Sequence, residues 1–118
     1  MNDALVSIIM PIYNTGAVSA ESIDSILCQT YKDWELIIVD DNSDDEATLS
    51  LLEKYRNEDS RIKIISLSEN KGPGGARNRG IEAAQGRYIA FCDSDDRWFP
   101  DKLERQMAFI ASKGCCLI

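Results

Sequence analysis

Short runs of almost entirely apolar residues alternate along the chain with longer stretches in which apolar residues recur every three or four positions. The short runs are typical of buried β-strands, and the longer stretches are typical of helices that bury one face. We predict strands at residues 5–10, 34–40, 61–67 and 87–93. The third run is closer to alternation than the others, which favours a less buried position in the sheet.

Four helices are predicted after these strands, at residues 19–30, 44–55, 74–86 and 100–114. Ser19 is expected to be the N-cap of the first helix. Asp44 or Asp45 is expected to cap the second helix, which should turn Leu49 inward. Gly86 is typical of a residue that ends a helix.

Four successive strand–helix units predict one α/β domain, a three-layer α/β/α arrangement around a mainly parallel sheet. Residues 115–118 resemble the start of a fifth strand, so we expect the sheet to be incomplete at the C-terminus. Ligands of such sheets bind beyond the carboxyl ends of the strands. The segments that follow the strands are therefore the candidates for function.

An acidic segment, DSDD at residues 93–96, directly follows the fourth predicted strand. Three carboxylates within four residues repel one another unless solvent, protonation or a cation relieves the repulsion. Asp93 and Asp95 can hold a divalent cation that also binds a diphosphate, which would let an acidic protein accept an anionic ligand. The alternative is an Asp-rich turn whose side chains cap the following helix.

A second acidic segment, VDDNSDD, ends the second predicted strand and continues beyond it. Asp40 and Asp41 emerge directly from the apolar run, and an acceptor carboxylate there can receive the ring N–H of a base such as uracil. Tyr13, after the first strand, can stack on or border a planar base. A partly exposed tyrosine in a turn is an equally common alternative.

A glycine-rich segment, NKGPGGARNRG, follows the third predicted strand. It is not a P-loop, because it lacks the GKS or GKT ending, and it is not a GxGxxG motif after the first strand. Its glycines permit close backbone approach, and Lys71 and Arg77 can reach phosphate oxygens near a helix N-terminus. The alternative is a flexible turn whose cations are solvated. This alternative fits Arg79 better than Arg77.

Composition and charge narrow the possible ligands. The 118 residues carry a net charge of −7 and include no histidine, with 44% hydrophobic and 28% charged residues. Negative charge disfavours binding to nucleic acid, and an oxygen-only ligand set favours Mg²⁺ or Mn²⁺ over Zn²⁺. The four cysteines form no CxxC pair and are expected to be small apolar residues in a reducing compartment.

The sequence pattern predicts neither a membrane span nor a signal peptide. No apolar run approaches the roughly 20 residues that span a bilayer, and the first residues lack the layout of a signal peptide. We therefore expect a cytoplasmic location, and peripheral association with the inner face of the membrane remains open.

Three segments carry a family resemblance: VSIIMPIYN, SIDSILCQTYKDWELIIVDDNSDD and NKGPGGARNRGIEAAQGRYIAFCDSDDRWFPDKLERQ. In order and spacing they closely resemble the N-terminal nucleotide-sugar half of family 2 glycosyltransferases, over essentially residues 5–113. The resemblance implies a GT-A fold, which is Rossmann-like. It also implies inverting transfer from a nucleoside-diphosphate sugar, usually UDP-linked, with Mg²⁺ or Mn²⁺.

On the base side of the donor site, the resemblance implies roles for four positions. Pro11 and Tyr13 would border the base. Asp41 would bind the base, with Asp40 supporting it.

On the diphosphate side, Arg77 would lie near the base or the phosphates, and Lys71 is a second candidate cation. Asp93 would face the ribose or sugar and assist Asp95, which would hold the metal. Asp96 matches the variable last acid of the motif and is expected at most to cap the next helix.

The acceptor site and the general base of this family come from a later part of the domain. Residues 1–118 are therefore expected to be the nucleotide-sugar-binding part of a glycosyltransferase domain without its acceptor half, and the base is expected beyond Ile118. The acceptor, whether a glycan, a lipid carrier or a protein, is open. An incomplete sheet exposes a strand edge, which favours self-association.

Other α/β proteins fit the sequence less well. A phosphoryl-transfer receiver domain needs acids after strand one and a phosphorylated Asp after strand three, where this chain has PIYN and SEN. A sugar nucleotidyltransferase needs a glycine-rich loop with an arginine after strand one. A non-catalytic nucleotide-binding or assembly module with the same fold remains an alternative, because fold alone does not establish function.

Overall fold

A computed structural model describes residues 5–113 of the chain. It contains four strands, β1 to β4, and four helices, α1 to α4, and their ends lie within three residues of the predicted ones. The strands are Val6–Ile12, Trp34–Asp40, Ile62–Ser66 and Tyr88–Phe91. The helices are Ser19–Leu27, Glu46–Arg56, Gly72–Ala83 and Lys102–Lys113, with a short 3-10 turn at Gly16–Val18. The fifth strand predicted at 115–118 lies outside the described residues.

The sheet is parallel in every described pairing, with the strand order β3-β2-β1-β4. The two central strands are the most apolar segments of the chain, and every residue of β2 is buried. β3 lies at one edge and is only partly buried, as its sequence pattern predicts. β4 forms the other edge of the described sheet, and self-association through it stays a prediction.

Helices cover both faces of the sheet, which confirms the predicted three-layer α/β/α architecture. On one face, Ile8, Met10 and Leu36 pack with apolar side chains of α1, α2 and α4 such as Ile23 and Leu103. Trp34 and Trp98 belong to this core, as expected for packing residues. The opposite face carries a smaller cluster beneath α3.

α3 packs closely on the sheet because small residues face it. Ala76 and Gly80 are buried against Ile9 and Val39. A Cβ at Gly80 would lie 2.6 Å from the Ile9 Cγ2 atom, so a larger side chain there would force the helix away. The start of α3 is thereby held against the carboxyl ends of the central strands.

Two local predictions for α1 and α2 are wrong, and one is confirmed. Val18, not Ser19, is the N-cap of α1, and Ser19 is buried as the first helical residue. The Leu49 side chain is 45% exposed, since α2 turns Leu52 and Tyr55 inward instead. Asp45 does cap α2, accepting a hydrogen bond from the Thr48 N–H at 3.1 Å.

Gly86 does not end α3, which finishes at Ala83. It lies instead in the connection to β4, where its N–H donates to the Ser7 Oγ atom at 2.8 Å. A Cβ at this position would lie 2.7 Å from the Leu5 carbonyl oxygen and 2.8 Å from the Ser7 nitrogen. The glycine is therefore required by close approach to β1 rather than by a helix terminus.

Gly86 belongs to a polar cluster at the amino ends of the strands, which we call the amino-edge cluster: the buried Ser7 and Glu35 together with the less buried Lys63, Gln85 and Gly86. The Glu35 carboxylate accepts hydrogen bonds from the Ser7 hydroxyl, from Lys63 Nζ at 2.7 Å and from the Gln85 N–H at 2.7 Å. Burial favours the neutral acid, but these donors outweigh it and hold the pKa of Glu35 below its ordinary value. Glu35 is therefore an ionised and fully partnered group inside the fold.

Across residues 5–113, none of the helices combines the length and apolar character that crossing a membrane requires.

Candidate functional site

A cleft of about 680 Å³ opens at the carboxyl edge of the sheet. Parallel strands bring the segments after β1, β2 and β4 to this edge, and the start of α3 closes one side. The cleft wall includes six of the eight residues predicted for the site: Pro11, Tyr13, Asp41, Arg77, Asp93 and Asp95. Asp40 and Lys71 are not part of that wall.

The acidic segment after β4 forms a tight turn at the mouth of the cleft. The Asp96 N–H donates to the Asp93 carbonyl oxygen at 3.0 Å, and the Asp93 N–H donates to Asp96 Oδ2 at 3.3 Å. Asp96 therefore closes the turn and does not cap α4, which begins six residues later at Lys102. One carboxylate oxygen from each of Asp93, Asp95 and Asp96 lies within 4.8 Å of the others, and all three side chains are exposed.

Arg77 reaches the acidic turn from the second turn of α3. Its Nη2 atom lies 3.0 Å from Asp93 Oδ1, and both side chains are partly exposed. Because an exposed ion pair of this kind has little net strength, either partner can exchange it for a charged ligand. The cleft thus holds a cation and carboxylates side by side.

Asp41 is buried in the wall of the cleft and fixes the start of the glycine-rich helix. Its Oδ1 accepts from the Lys71 N–H at 2.7 Å and its Oδ2 from the Gly72 N–H at 2.8 Å. Gly72 has a φ of +78°, a conformation that favours glycine. Each carboxylate oxygen retains a second acceptor position, so the predicted contact with a base N–H is compatible with these bonds.

Asp40 and Lys71 occupy supporting or peripheral positions. Asp40 is buried at the end of β2, and its Oδ1 accepts from the Ser43 N–H at 3.0 Å, which orders the β2–α2 loop. The Lys71 ammonium pairs at 3.0 Å with Glu69 on the outside of the glycine-rich segment. Arg79 is exposed on α3 and does not reach the cleft wall.

Two residues outside the predicted set also shape the site. Ser94 lines the cleft, and its carbonyl oxygen accepts from the Ser22 hydroxyl of α1 at 2.8 Å, which ties the acidic turn to the core. Asn14 follows Tyr13 with a φ of +49° and bonds to the β2–α2 loop. The available signal was an amide directly after the first strand, a residue type that tolerates this conformation.

Cys92 lies beneath the acidic turn and is buried. Burial, reinforced by the nearby Asp96 and Asp93 carboxylates, raises the pKa of the Cys92 thiol to about 12. The thiol is therefore neutral and packs as a small apolar group, as predicted. Cys28 is exposed and free, and the vicinal pair at 115–116 lies outside the described residues.

Comparison with known proteins supports the family resemblance. A family model described as "Glycosyl transferase family 2" matches residues 7–117. The chain is similar to UDP-Glc:alpha-D-GlcNAc-diphosphoundecaprenol beta-1,3-glucosyltransferase WfgD of Escherichia coli, with 48% identity over 110 residues. That match covers 93% of this chain but only 42% of WfgD, so the chain spans less than half the length of this relative.

Solved structures give the same result for the fold. TarS 1-349 of S. aureus, in complex with UDP-GlcNAc, matches with a TM-score of 0.85 and 36% identity over 92% of this chain and 32% of that chain. Mannosyltransferase PcManGT of Pyrobaculum calidifontis, in complex with GDP-Man and Mn²⁺, matches with a TM-score of 0.72 and 26% identity. That second match covers 79% of this chain and 28% of the mannosyltransferase.

Proposed function

Because the chain belongs to glycosyl transferase family 2, we propose that its carboxyl-edge cleft binds a nucleoside-diphosphate sugar together with Mn²⁺ or Mg²⁺. The observation that carries this proposal is the convergence of Tyr13, Asp41, Arg77 and the acidic turn on one cleft. The cleft joins a planar side chain, a buried acceptor, a cation and a carboxylate cluster. These are the groups that a base, a diphosphate and a divalent cation require.

The acidic turn fits a divalent cation. Its carboxylates are exposed, close together and purely oxygen donors, as Mg²⁺ and Mn²⁺ prefer. Within residues 5–113 the Asp95 carboxylate makes no hydrogen bond or ion pair, whereas Asp93 pairs with Arg77. We assign Asp95 as the principal metal ligand and Asp93 as its neighbour. A bound cation would neutralise charge that develops on the leaving diphosphate.

Different residues of the cleft would contact different parts of the donor. Arg77 can leave Asp93 and donate to phosphate oxygens, because its ion pair is partly exposed. Tyr13 and Pro11 would border the base, and Asp41 would accept its ring N–H. Asp40 would support Asp41 indirectly by ordering the loop that follows, and Lys71 would add positive potential from outside the wall.

UDP is the nucleotide we propose. The more similar of the two structural neighbours carries UDP-GlcNAc, and the name of WfgD specifies a UDP-glucose donor. The neighbour with GDP-Man is less similar to this chain, but its Mn²⁺ supports a metal-assisted donor site.

In the complete protein, we propose that the donor sugar is transferred with inversion to an acceptor hydroxyl that a general base deprotonates. The chain spans 42% of WfgD, so the acceptor site and the base are assigned to sequence outside residues 1–118. Residues 1–118 would then supply donor recognition and leaving-group stabilisation. We propose a cytoplasmic protein at the inner face of the membrane, because the name of WfgD specifies an acceptor sugar carried on a lipid, alpha-D-GlcNAc-diphosphoundecaprenol.

Calorimetric titration of the 118-residue chain tests the donor site. UDP, GDP and dTDP are each titrated with and without Mn²⁺, on the parent chain, on Asp95→Asn and on Asp33→Asn. Asp33 is an exposed aspartate that precedes β2 at the opposite edge and serves as the matched control. We expect Mn²⁺-dependent UDP binding that weakens at least about tenfold in Asp95→Asn and is unchanged in Asp33→Asn.

Metal-independent binding, or binding unaffected by Asp95→Asn, would remove the metal assignment. The non-catalytic alternative is tested on the complete protein, which is incubated with a UDP-sugar and with candidate acceptors. A nucleotide-binding or assembly module would bind UDP but would produce no free UDP from the UDP-sugar with any of these acceptors.

A further inference from the structure

The loop after β1 carries the exposed aromatic ring of the cleft, yet the Tyr13 side chain itself has little to fix it. The ring is 51% exposed and lines the cleft next to Pro11. Because its side chain is half exposed, the position of the ring depends on how firmly the backbone on either side of Tyr13 is held, by β1 before it and by the following turn after it.

Asn14 directly follows Tyr13, and its backbone has a φ of +49°. Non-glycine residues seldom adopt this left-handed conformation, although asparagine does so more readily than most. It turns the chain sharply away from β1, between Tyr13 and the 3-10 turn at Gly16–Val18.

The Asn14 side chain holds this turn against the β2–α2 loop. Its Oδ1 accepts from the Asp44 and Asp45 N–H groups, each at 3.0 Å, and its Nδ2 donates to Asp44 Oδ1 at 2.9 Å. Its backbone N–H donates to Ser43 Oγ at 2.9 Å. One residue thus makes four hydrogen bonds to a segment about thirty positions away.

The loop that receives these bonds is itself well ordered. Asp40, buried at the end of β2, accepts from the Ser43 N–H, and Asp45 caps α2 through Thr48. The Gly16 N–H then donates to the Thr48 hydroxyl at 2.8 Å, which fixes the far side of the same turn. Asn14 is therefore connected to a rigid part of the fold on one side and to Tyr13 on the other.

We propose that Asn14 is a positioning residue that sets the Tyr13 ring for contact with the nucleotide base. This inference rests on the proposed function, since it assigns Tyr13 to the base end of a bound nucleotide. It predicts that Asn14 affects the affinity for the base and not the affinity for the diphosphate. The acidic turn and Arg77 are held by β4, α1 and α3 instead.

The test separates positioning from general stability by titrating UDP and inorganic diphosphate, each with Mn²⁺. The variants are Tyr13→Ala, Asn14→Gly and the two combined. Asn14→Gly permits the positive φ and removes only the side-chain bonds. Asn57→Gly is the matched control, because the Asn57 side-chain amide donates to the Glu53 carbonyl oxygen at the far end of α2 and Asn57 is not part of the cleft wall.

We expect Asn14→Gly to weaken UDP binding about tenfold, within the range for stacking of a base on an aromatic ring, and to change diphosphate binding less than about twofold. The combined variant should bind UDP about as weakly as either single variant, since both remove the same contact. Asn57→Gly should bind both ligands like the parent chain.

Unchanged UDP binding in Asn14→Gly, equal losses for UDP and diphosphate, or additive losses in the combined variant would each overturn the positioning role. The parent chain distinguishes the two proposals: if it fails to bind UDP with Mn²⁺, the proposed function fails, and this inference with it. If it binds UDP and only the variant comparison fails, the donor site stands without a positioning role for Asn14.

Discussion

Two groups of polar side chains lie at opposite edges of the same parallel sheet and use their hydrogen-bonding capacity differently. At the amino edge, the buried Glu35 carboxylate has three donors arranged around it. At the carboxyl edge, the acidic turn leaves three carboxylates exposed, and Asp95 has no hydrogen bond or ion pair within the described part of the chain. The first group is complete within the fold, and the second has capacity left for a ligand.

The difference shows how a carboxylate in this fold can be assigned to structure or to binding. A buried charge is tolerated only when its partners are in place, so the amino-edge cluster should contribute to stability and be indifferent to nucleotide. An exposed charge contributes little to stability, so the acidic turn and Arg77 should show the reverse behaviour. Substitutions at the two edges can test this division.

Removal of the Glu35 carboxylate should have the largest effect on stability. Glu35→Ala leaves the Ser7 hydroxyl and the Gln85 N–H without their acceptor and Lys63 without its counter-charge. We expect a loss of about 3 kcal/mol in the free energy of unfolding, measured by urea denaturation. Glu53→Ala, which breaks an exposed pair with Arg56, should change it by less than about 0.5 kcal/mol. A loss in Glu35→Ala as small as that in the control would contradict the structural role.

Acid should reduce the contribution of Glu35. Its pKa is lowered in the folded protein, so its stabilisation is present above the ordinary glutamate pKa of 4.5 and is lost as the pH falls through the folded pKa. As the pH falls below about 5, the unfolding free energy of the parent chain should therefore decrease more steeply than that of Glu35→Gln. Parallel pH profiles in urea denaturation would show that Glu35 does not titrate as proposed. Asp59, whose pKa is lowered chiefly by its hydrogen bond from Arg61, is retained in both proteins and cancels in this comparison.

Of these substitutions, Arg77→Gln should change the free energy of unfolding least, but it should clearly weaken UDP binding. Its ion pair with Asp93 is partly exposed, so the unfolding free energy should change by less than about 0.5 kcal/mol. UDP binding with Mn²⁺ should weaken about tenfold in calorimetry, through loss of a charged donor to phosphate. Arg79→Gln, two residues along α3 and outside the cleft wall, is the control and should bind UDP like the parent chain. Equal binding by the two variants would remove Arg77 from the donor site.

The local sequence pattern was sufficient to predict most of the fold, because the strands are almost purely apolar and each is followed by a helix. α3 was harder to interpret: small residues rather than large apolar ones face the sheet, so Gly80 carries no hydrophobic signal. The local pattern at Gly86 likewise predicts a helix terminus, whereas close approach to β1 explains the glycine. Which small residues meet another element depends on the tertiary arrangement, and the local pattern alone does not show it.

The candidate site could be placed from the sequence, but its internal connections could not. The rule that ligands bind beyond strand ends selects Asp41, Arg77 and Asp95 without any coordinates. The bonds from Asp41 to the start of α3 and from Asn14 to the β2–α2 loop join residues about thirty positions apart. Glu35 is not among the predicted residues, although an acid near the start of an otherwise apolar strand is a usable signal for a buried ionic group.

The position of Asp41 constrains how nucleotide preference could change in this protein. The same carboxylate holds the first turn of α3 and forms part of the cleft wall, so a substitution there alters the helix start together with any base contact. Weaker nucleotide binding in an Asp41 variant would therefore not identify a direct contact. An engineered or evolving change of base specificity has more freedom at Tyr13, where the side chain can be exchanged without dismantling the scaffold behind it.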